Sequence, residues 1–280
     1  RAVSALEFIQ ACALIHDDIV DASDTRRGRP TVHRSAEALH REQGWEGDSA
    51  RYGVSQAILV GDLALTWADE MLVTSGVDPS SLGRALVPWY AMKTEVLSGQ
   101  MLDILAEASG STDEDTPARV NRFKTAAYTV ERPLHIGAEL AGARPATVAA
   151  LRGFGVAVGE AFQLRDDLLG VFGDPEITGK PSGDDLREGK RTALIVYARS
   201  KANQDQSALI SNYLGVPDLS DEHVAEFQDV IAETGAKDKV EELIAERAQL
   251  AFDGIAALQA PARTLSGLKA LANLTINREK

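Results

Sequence analysis

Apolar residues recur at spacings of three and four along most of the chain, the period of a helix with one buried face. The pattern runs through 2–20, 53–73, 82–108, 117–140 and 145–172, and returns in 192–214, 221–233 and 237–258. No segment alternates in twos between turn signals, so no sheet is expected. Thr116-Pro117 and Arg144-Pro145 place a proline where its missing N–H costs little, and Ser220 is positioned to cap the helix after it. Pro88 and Pro133 fall inside helical patterns and predict kinks or breaks. Two segments rich in Gly, Pro and charge interrupt the helices, 24–30 (DTRRGRP) and 173–189 (GDPEITGKPSGDDLREG). Long irregular segments in a compact protein commonly carry function. With no internal repeat and no low-complexity linker, residues 1–280 read as one all-α domain.

Composition narrows the classes of function. The 280 residues include 29 Lys and Arg against 42 Asp and Glu, a net charge of −13, with 44% hydrophobic residues. That balance describes a folded globular chain and argues against a nucleic-acid or anionic-membrane partner, either of which needs a basic face. The single cysteine, Cys12, excludes an internal disulfide framework and suits a reducing compartment, so the cytoplasm is expected. No apolar run reaches the roughly 18 residues of a spanning helix; the best, near 57–68, is broken by Asp62. The chain opens on Arg1 and enters an apolar pattern at once, which suggests that an N-terminal segment has been cut away.

The chemistry concentrates where helices meet the two loops. In His16-Asp17-Asp18-Ile19-Val20-Asp21, Asp17 and Asp21 lie one turn apart on the same side of a helix, with Asp18 beside them. Carboxylates that close raise one another's pKa unless a cation sits between them, and hard divalent cations, above all Mg²⁺, prefer such oxygen ligands. The basic run Arg26-Arg27-Gly28-Arg29 follows directly, and acid beside base suggests a metal plus an anion such as diphosphate. A second constellation, Phe162-Gln163-Leu164-Arg165-Asp166-Asp167-Leu168-Leu169-Gly170, repeats the arrangement. The loop after it supplies Lys180, Asp184, Asp185 and Lys190. Lys124-Thr125 with Tyr128 puts a cation and two hydroxyls on one turn, and Asp103, near Gln100 in an apolar helix, wants a partner such as Lys124.

These residues resemble the trans-isoprenyl diphosphate synthases of the polyprenyl synthetase family, most of all the bacterial members that make geranylgeranyl diphosphate. The resemblance rests on Asp17-Asp18-x-x-Asp21 with Arg26-Arg27-Gly28, Gly99-Gln100-x-x-Asp103, Lys124-Thr125, Phe162-Gln163, Asp166-Asp167, Gly179-Lys180 and Lys190, all in family order through nearly the whole chain. It implies an isoprenoid-synthase-type helical bundle around a deep central cavity, and a prenyltransferase condensing isopentenyl diphosphate with an allylic diphosphate. Asp17, Asp21 and Asp166 would hold three Mg²⁺ ions on the allylic diphosphate, supported by Asp18 and Asp167. Arg26, Lys124, Lys180 and Lys190 would neutralise that diphosphate, Thr125 and Gln163 would line the forming cation, and Gln10 and Arg27 would bind isopentenyl diphosphate. A homodimer is typical of the family.

The sequence also departs from the family pattern. Gly170 stands where the second motif usually has a third aspartate, which leaves Asp174 or Asp184 to contribute. The Gly-Lys-x-x-Arg segment that precedes the first motif in the family is not included. Cys12 and Ala13 are small where bulky aromatics stop growth at shorter products, so geranylgeranyl diphosphate or a somewhat longer product is expected, with Phe8 as the lower stop. A class I terpene cyclase would normally replace the second aspartate pair with an Asn/Ser/Glu pattern, and a non-catalytic synthase subunit usually loses the first motif. A helical metal phosphohydrolase would need further histidine ligands, and His33, His40, His135 and His223 show no matching arrangement.

Overall fold

Helices make up nearly all of the regular structure in the computed structural model, which describes residues 1–111, 113–178, 181–256 and 258–278. Contacts divide the chain into two compact units, residues 1–82 and 83–280. Among the described residues no helix is long and apolar enough to cross a membrane.

The first unit contains α1 (Ala5–Val20), α2 (Val32–Glu42), α3 (Ser49–Val73) and the first turn of α4 (Pro79–Ser109). Helix α3 buries Ala57, Ala64, Ala68 and Leu72 at helical spacing, and α1, which lies against it, buries Ala5, Ile9 and Cys12. Small side chains let the two helices approach closely, and Gly61 marks the tightest point: a Cβ there would fall 2.2 Å from His16 Nε2. The expectation of no sheet needs a local correction. After α1 the chain forms a hairpin of two-residue strands, β1 (Thr25–Arg26) and β2 (Arg29–Pro30), in the register Thr25↔Pro30 and Arg26↔Arg29. Arg27 and Gly28 take φ of +54° and +72°, the left-handed pair that closes a two-residue hairpin without splaying its strands. Two residues per strand are too few for an alternation to show.

The second unit is built on α7 (Pro145–Phe172), whose bounds coincide with those expected. Its buried face carries Phe154, Val158, Ala161, Leu164, Leu168 and Val171. These share one core with α10 (Ala193–Lys201), α11 (Gln204–Tyr213), α12 (Asp221–Glu233), α13 (Ala236–Ala256) and α14 (Ala262–Ile276). Ser220 caps α12 as expected, its hydroxyl accepting from His223 N–H. The single period expected over 192–214 is broken near Asn203, which caps α11 in a reciprocal box with Gln206. The 173–189 loop contains two short helices, α8 (Pro175–Thr178) and α9 (Asp184–Glu188).

The pattern over 117–140 resolves into α5 (Thr116–Val120), a π-helix over Asn121–Glu131 and α6 (Arg132–Leu140). Arg132 N–H bonds to Ala127 C=O, and Pro133 has no N–H with which to resume the tighter ladder one residue later. Pro88, by contrast, is accommodated within α4 without ending it. Glycines on two helices receive the wider π-helix. A Cβ on Gly99 of α4 would lie 2.3 Å from Lys124 N, and one on Gly159 of α7 would lie 2.5 Å from the Ala126 Cα.

Glu131, at the end of the π-helix, is fully buried and balanced by guanidinium groups: Arg122, Arg152 at 3.1 Å and Arg132 at 3.8 Å. Arg132 also binds both carboxylate oxygens of Glu95 on α4. Removing one partner of a buried ion pair costs far more than the pair's net worth, because the remaining charge stays buried. Glu131→Ala is therefore expected to lower unfolding stability by about 3–5 kcal/mol in a urea titration. Arg152→Ala removes a side chain that is 60% exposed and should cost about 1 kcal/mol or less. Equal losses would contradict the ionic anchoring of the π-helix.

Candidate active site

In the first unit, the last turn of α1 sorts its three aspartates by environment. Asp18 is buried and accepts from Arg26 Nε at 2.6 Å, which fixes the guanidinium of the hairpin beside the helix end. Arg26 Nη2 lies 3.6 Å from Asp17 Oδ2. Asp17 and Asp21 share the adjoining face, and Asp21, as the C-cap, donates its N–H to Asp17 C=O. Asp18 thus positions a cation, while Asp17 and Asp21 present carboxylates. Gln10, seven residues before Asp17, returns to the same face, and the exposed Arg27 sits at the hairpin tip.

His16 belongs to a different face. Its Nε2 meets Ile58 C=O at 3.0 Å and lies 3.8 Å from Asp62 Oδ1, while Cys12 Sγ lies 3.8 Å from Nδ1. Cys12 therefore turns toward α3, and burial, helped by the charge of Asp62, pushes its thiol pKa up. Phe8 also meets α3, edge-on against Trp67 with ring centroids 6.2 Å apart. Of the three residues tied to product length, Ala13, one turn before Asp17, lies on the aspartate face. His33 lies beside Thr31 Oγ1 at 3.1 Å, a local contact at the hairpin exit.

In the second unit a hydrogen-bonded chain crosses from the π-helix to α7. Thr125 Oγ1 donates to Gln163 Oε1 at 2.7 Å, and Gln163 Nε2 donates to Asp167 Oδ1 at 2.8 Å. Asp167 thus sets the direction of the Gln163 amide, which in turn orients the Thr125 hydroxyl. Lys124 Nζ lies 2.6 Å from Asp103 Oδ2, the pairing that the sequence called for. Lys190 lies 3.5 Å from Asp185 and is also paired with Glu188. Lys180 falls outside the described residues.

Two participants were not among the expected site residues. Arg278 Nη1 lies 3.1 Å from Asp166 Oδ1, and its guanidinium stacks 4.7 Å over the Phe162 ring. Asp185 was grouped with the loop but given no role, and its carboxylate lies against Gly170. Asp174, one of the two carboxylates expected to make up for Gly170, accepts from Glu176 N–H at the start of α8. For Arg278 the sequence held no local signal. For Asp185 the signal was Gly170 itself, a residue whose missing side chain leaves room for another.

Asp167 is buried, and its carboxyl is pushed up to about 8. Burial is the main cause, with repulsion from Asp185 and Asp166 added, against the hydrogen bond from Gln163 and the charge of Lys190. An unfolded aspartate titrates near 3.8, so between the two values the native state holds a proton that the unfolded chain has lost. Stability then falls as pH rises through that window. Asp167→Asn, which cannot ionise, is expected to match the parent's Tm near pH 4 in metal-free buffer and to exceed it increasingly toward pH 8. A Tm difference that stays constant across this range would contradict the assignment.

The chain is similar to known proteins. The polyprenyl synthetase family model matches residues 1–232. Over 276 residues the chain is 34% identical to the geranylgeranyl diphosphate synthase of Mycobacterium tuberculosis, covering 99% of this chain and 73% of that one. Over 271 residues it is 33% identical to the geranylfarnesyl diphosphate synthase of Aeropyrum pernix, covering 95% and 79%. The crystal structure of geranylgeranyl pyrophosphate synthase from Corynebacterium glutamicum, complexed with isoprenyl diphosphate and magnesium, matches with a TM-score of 0.95 at 48% identity. That match covers 98% of this chain and 78% of the other. With its all-α architecture and ordered acidic motifs, the chain belongs to the polyprenyl synthetase family of prenyltransferases.

Proposed function

We propose that the protein condenses isopentenyl diphosphate with an allylic diphosphate, head to tail and in trans geometry, to give geranylgeranyl diphosphate or a somewhat longer polyprenyl diphosphate. One observation carries this reading: each unit of a chain with net charge −13 sets an acidic helix segment beside a fixed cation. In the first unit Asp17 and Asp18 lie beside Arg26; in the second Asp166 lies beside Arg278 and Asp167 near Lys190. Carboxylates alone repel a diphosphate, whereas carboxylates that hold a divalent cation attract it.

The donor set fits Mg²⁺. Among the described residues no three His, Cys, Asp or Glu side chains close into an all-protein cage. Mg²⁺ commonly needs only one or two carboxylates, with water and substrate phosphate oxygens completing its octahedron. Asp17 and Asp21, with Asp166, would hold three such ions per site on the allylic diphosphate. When bound, the metal stabilises charge on the departing diphosphate. Asp18 keeps Arg26 extended for the same anion, and Asp103 does so for Lys124; Lys180 and Lys190 add positive charge. Gln10 and Arg27 bind isopentenyl diphosphate.

The allylic C–O bond then breaks and leaves a carbocation that must be kept from water. The double bond of isopentenyl diphosphate attacks it, and a proton is lost to the diphosphate released. Thr125 donates its hydroxyl hydrogen bond to Gln163 Oε1, so its oxygen lone pairs remain to face positive charge. The small side chain of Ala13 leaves room for a growing tail past Asp17. A homodimer is part of the proposal, supported by the exposed apolar Leu59, Leu63 and Trp67 on α3 and Leu97, Met101 and Leu105 on α4. The single cysteine supports the cytoplasm as its compartment.

The decisive assay supplies Mg²⁺, isopentenyl diphosphate and dimethylallyl, geranyl or farnesyl diphosphate, and identifies the products. Elongated linear diphosphates are expected; a cyclic hydrocarbon, or no product, would overturn the reading. Asp17→Ala should reduce turnover to background while leaving the melting profile intact. Ala13→Phe should shift the product to a shorter chain, and an unchanged length distribution would remove Ala13 from the cavity floor.

A further inference from the structure

The π-helix over Asn121–Glu131 carries Lys124 and Thr125, and one ion pair joins its two ends. Arg122, in its first turn, pairs with Glu131, its last residue, nine positions on. That spacing decides which kind of helix allows the pair. At 100° per residue, positions nine apart on an α-helix point in opposite directions. A π-helix, bonded i→i+5, turns by roughly 82° per residue, so nine residues complete about two turns and return to the same side. The pair therefore belongs to the wider helix.

The surface that receives the helix has a matching period. Gly155 and Gly159 stand four residues apart, on one face of α7. A Cβ on Gly159 would lie 2.5 Å from the Ala126 Cα, and one on Gly155 would lie 2.7 Å from the Glu131 Cα. These two contact points on the π-helix are five residues apart. Five residues separate directions by about 140° in an α-helix but by only about 50° in a π-helix, so the wider form alone sets both against one groove. Glu131 has further partners with a different effect. Arg152, at 3.1 Å, comes from α7, and Arg132, at 3.8 Å, follows the helix. Both offset the buried charge without spanning the segment; among the described residues Arg122 alone ties it to the far end.

The site residues lie inside the tied segment. Thr125 Oγ1 reaches Gln163 on α7 at 2.7 Å, and Lys124 Nζ reaches Asp103 on α4 at 2.6 Å. Tightening from π to α adds about 18° per residue, so Thr125 would turn by roughly 70° relative to Asn121 and lose Gln163. We infer that the Arg122–Glu131 pair is a register lock: it selects the π-form over the α-form, and through that choice Arg122 and Glu131 act as positioning residues for Lys124 and Thr125. The catalytic consequence rests on the prenyltransferase reading proposed above, whereas the lock itself is a property of the fold.

The test compares Arg122→Met, which keeps an unbranched stem and removes the charge, with Arg152→Met, which takes a different guanidinium from the same carboxylate. Glu131 retains two arginines in each variant, so both are expected to fold. Steady-state kinetics are measured with Mg²⁺, isopentenyl diphosphate and farnesyl diphosphate. Arg122→Met is expected to lower kcat about 10- to 100-fold, the scale on which a misplacement of about 1 Å acts. It should also raise KM for farnesyl diphosphate and leave KM for isopentenyl diphosphate unchanged. Arg122→Lys should recover most of the activity, and Arg152→Met should stay within about twofold of the parent. A crystal structure of Arg122→Met should show 121–131 in the α-form, with Thr125 off Gln163. Parental kinetics with the π-helix retained, a fall in kcat with both KM values unchanged, or equal losses in Arg122→Met and Arg152→Met would overturn the inference. Absence of elongated product from the wild-type protein would instead overturn the prenyltransferase reading, and the crystal structure would still decide the lock.

Discussion

Repulsion between like charges is the constraint on which the rest of this protein turns. Its substrates are anions, its net charge is −13, and its distinctive motifs are aspartates. At an effective dielectric near 20, two unit charges 4 Å apart interact by about 4 kcal/mol, enough to forbid an uncompensated cluster. Most of these acids accordingly face a positioned counter-charge: Asp18 and Asp17 face Arg26, Asp103 faces Lys124, Asp185 faces Lys190, and Asp166 faces Arg278. Asp167, buried near Asp166 and Asp185, instead has its carboxyl pushed up to about 8. Carboxylates held this way are balanced by the protein's own cations.

Packing gives those charges their positions. Lys124 and Thr125 stand on a π-helix, whose wider turn alters the direction of each side chain relative to an α-helix. That element is held between glycines of α4 and α7 and fastened at its end by the buried Glu131 network. The same economy appears in the first unit, where Gly61 makes room for His16 and so leaves the aspartate face of α1 clear. Close approach is thus concentrated beside the candidate site residues.

The sequence disclosed the helices through their period and the chemistry through its motifs. Helix α7 and the cap at Ser220 were legible because their determinants are local: an apolar stripe, a proline at the start, a hydroxyl before the first turn. Helix α2 escaped notice because its buried positions include His33, Glu37 and His40, polar residues satisfied by neighbours and invisible to an apolar pattern. Nor was the π-helix legible, since a period near four does not separate it from an α-helix over eleven residues. The Asp18–Arg26 pair follows from residues eight apart, but Arg278 on Asp166 and Asp185 on Gly170 depend on how distant segments return to α7. Asp103 and Lys124 lie between these cases: the need for a partner was evident, and the fold supplied the one that chemistry favoured.

The central claim is that these aspartates bind an anion only by way of a divalent cation. Calorimetric titration of the wild-type protein with inorganic diphosphate, first in chelator and then with Mg²⁺ in excess, tests it directly. The expected result is no measurable heat of binding in chelator and saturable binding once Mg²⁺ is present. Equal affinity under both conditions would show that the cationic side chains alone hold the diphosphate and would contradict the account.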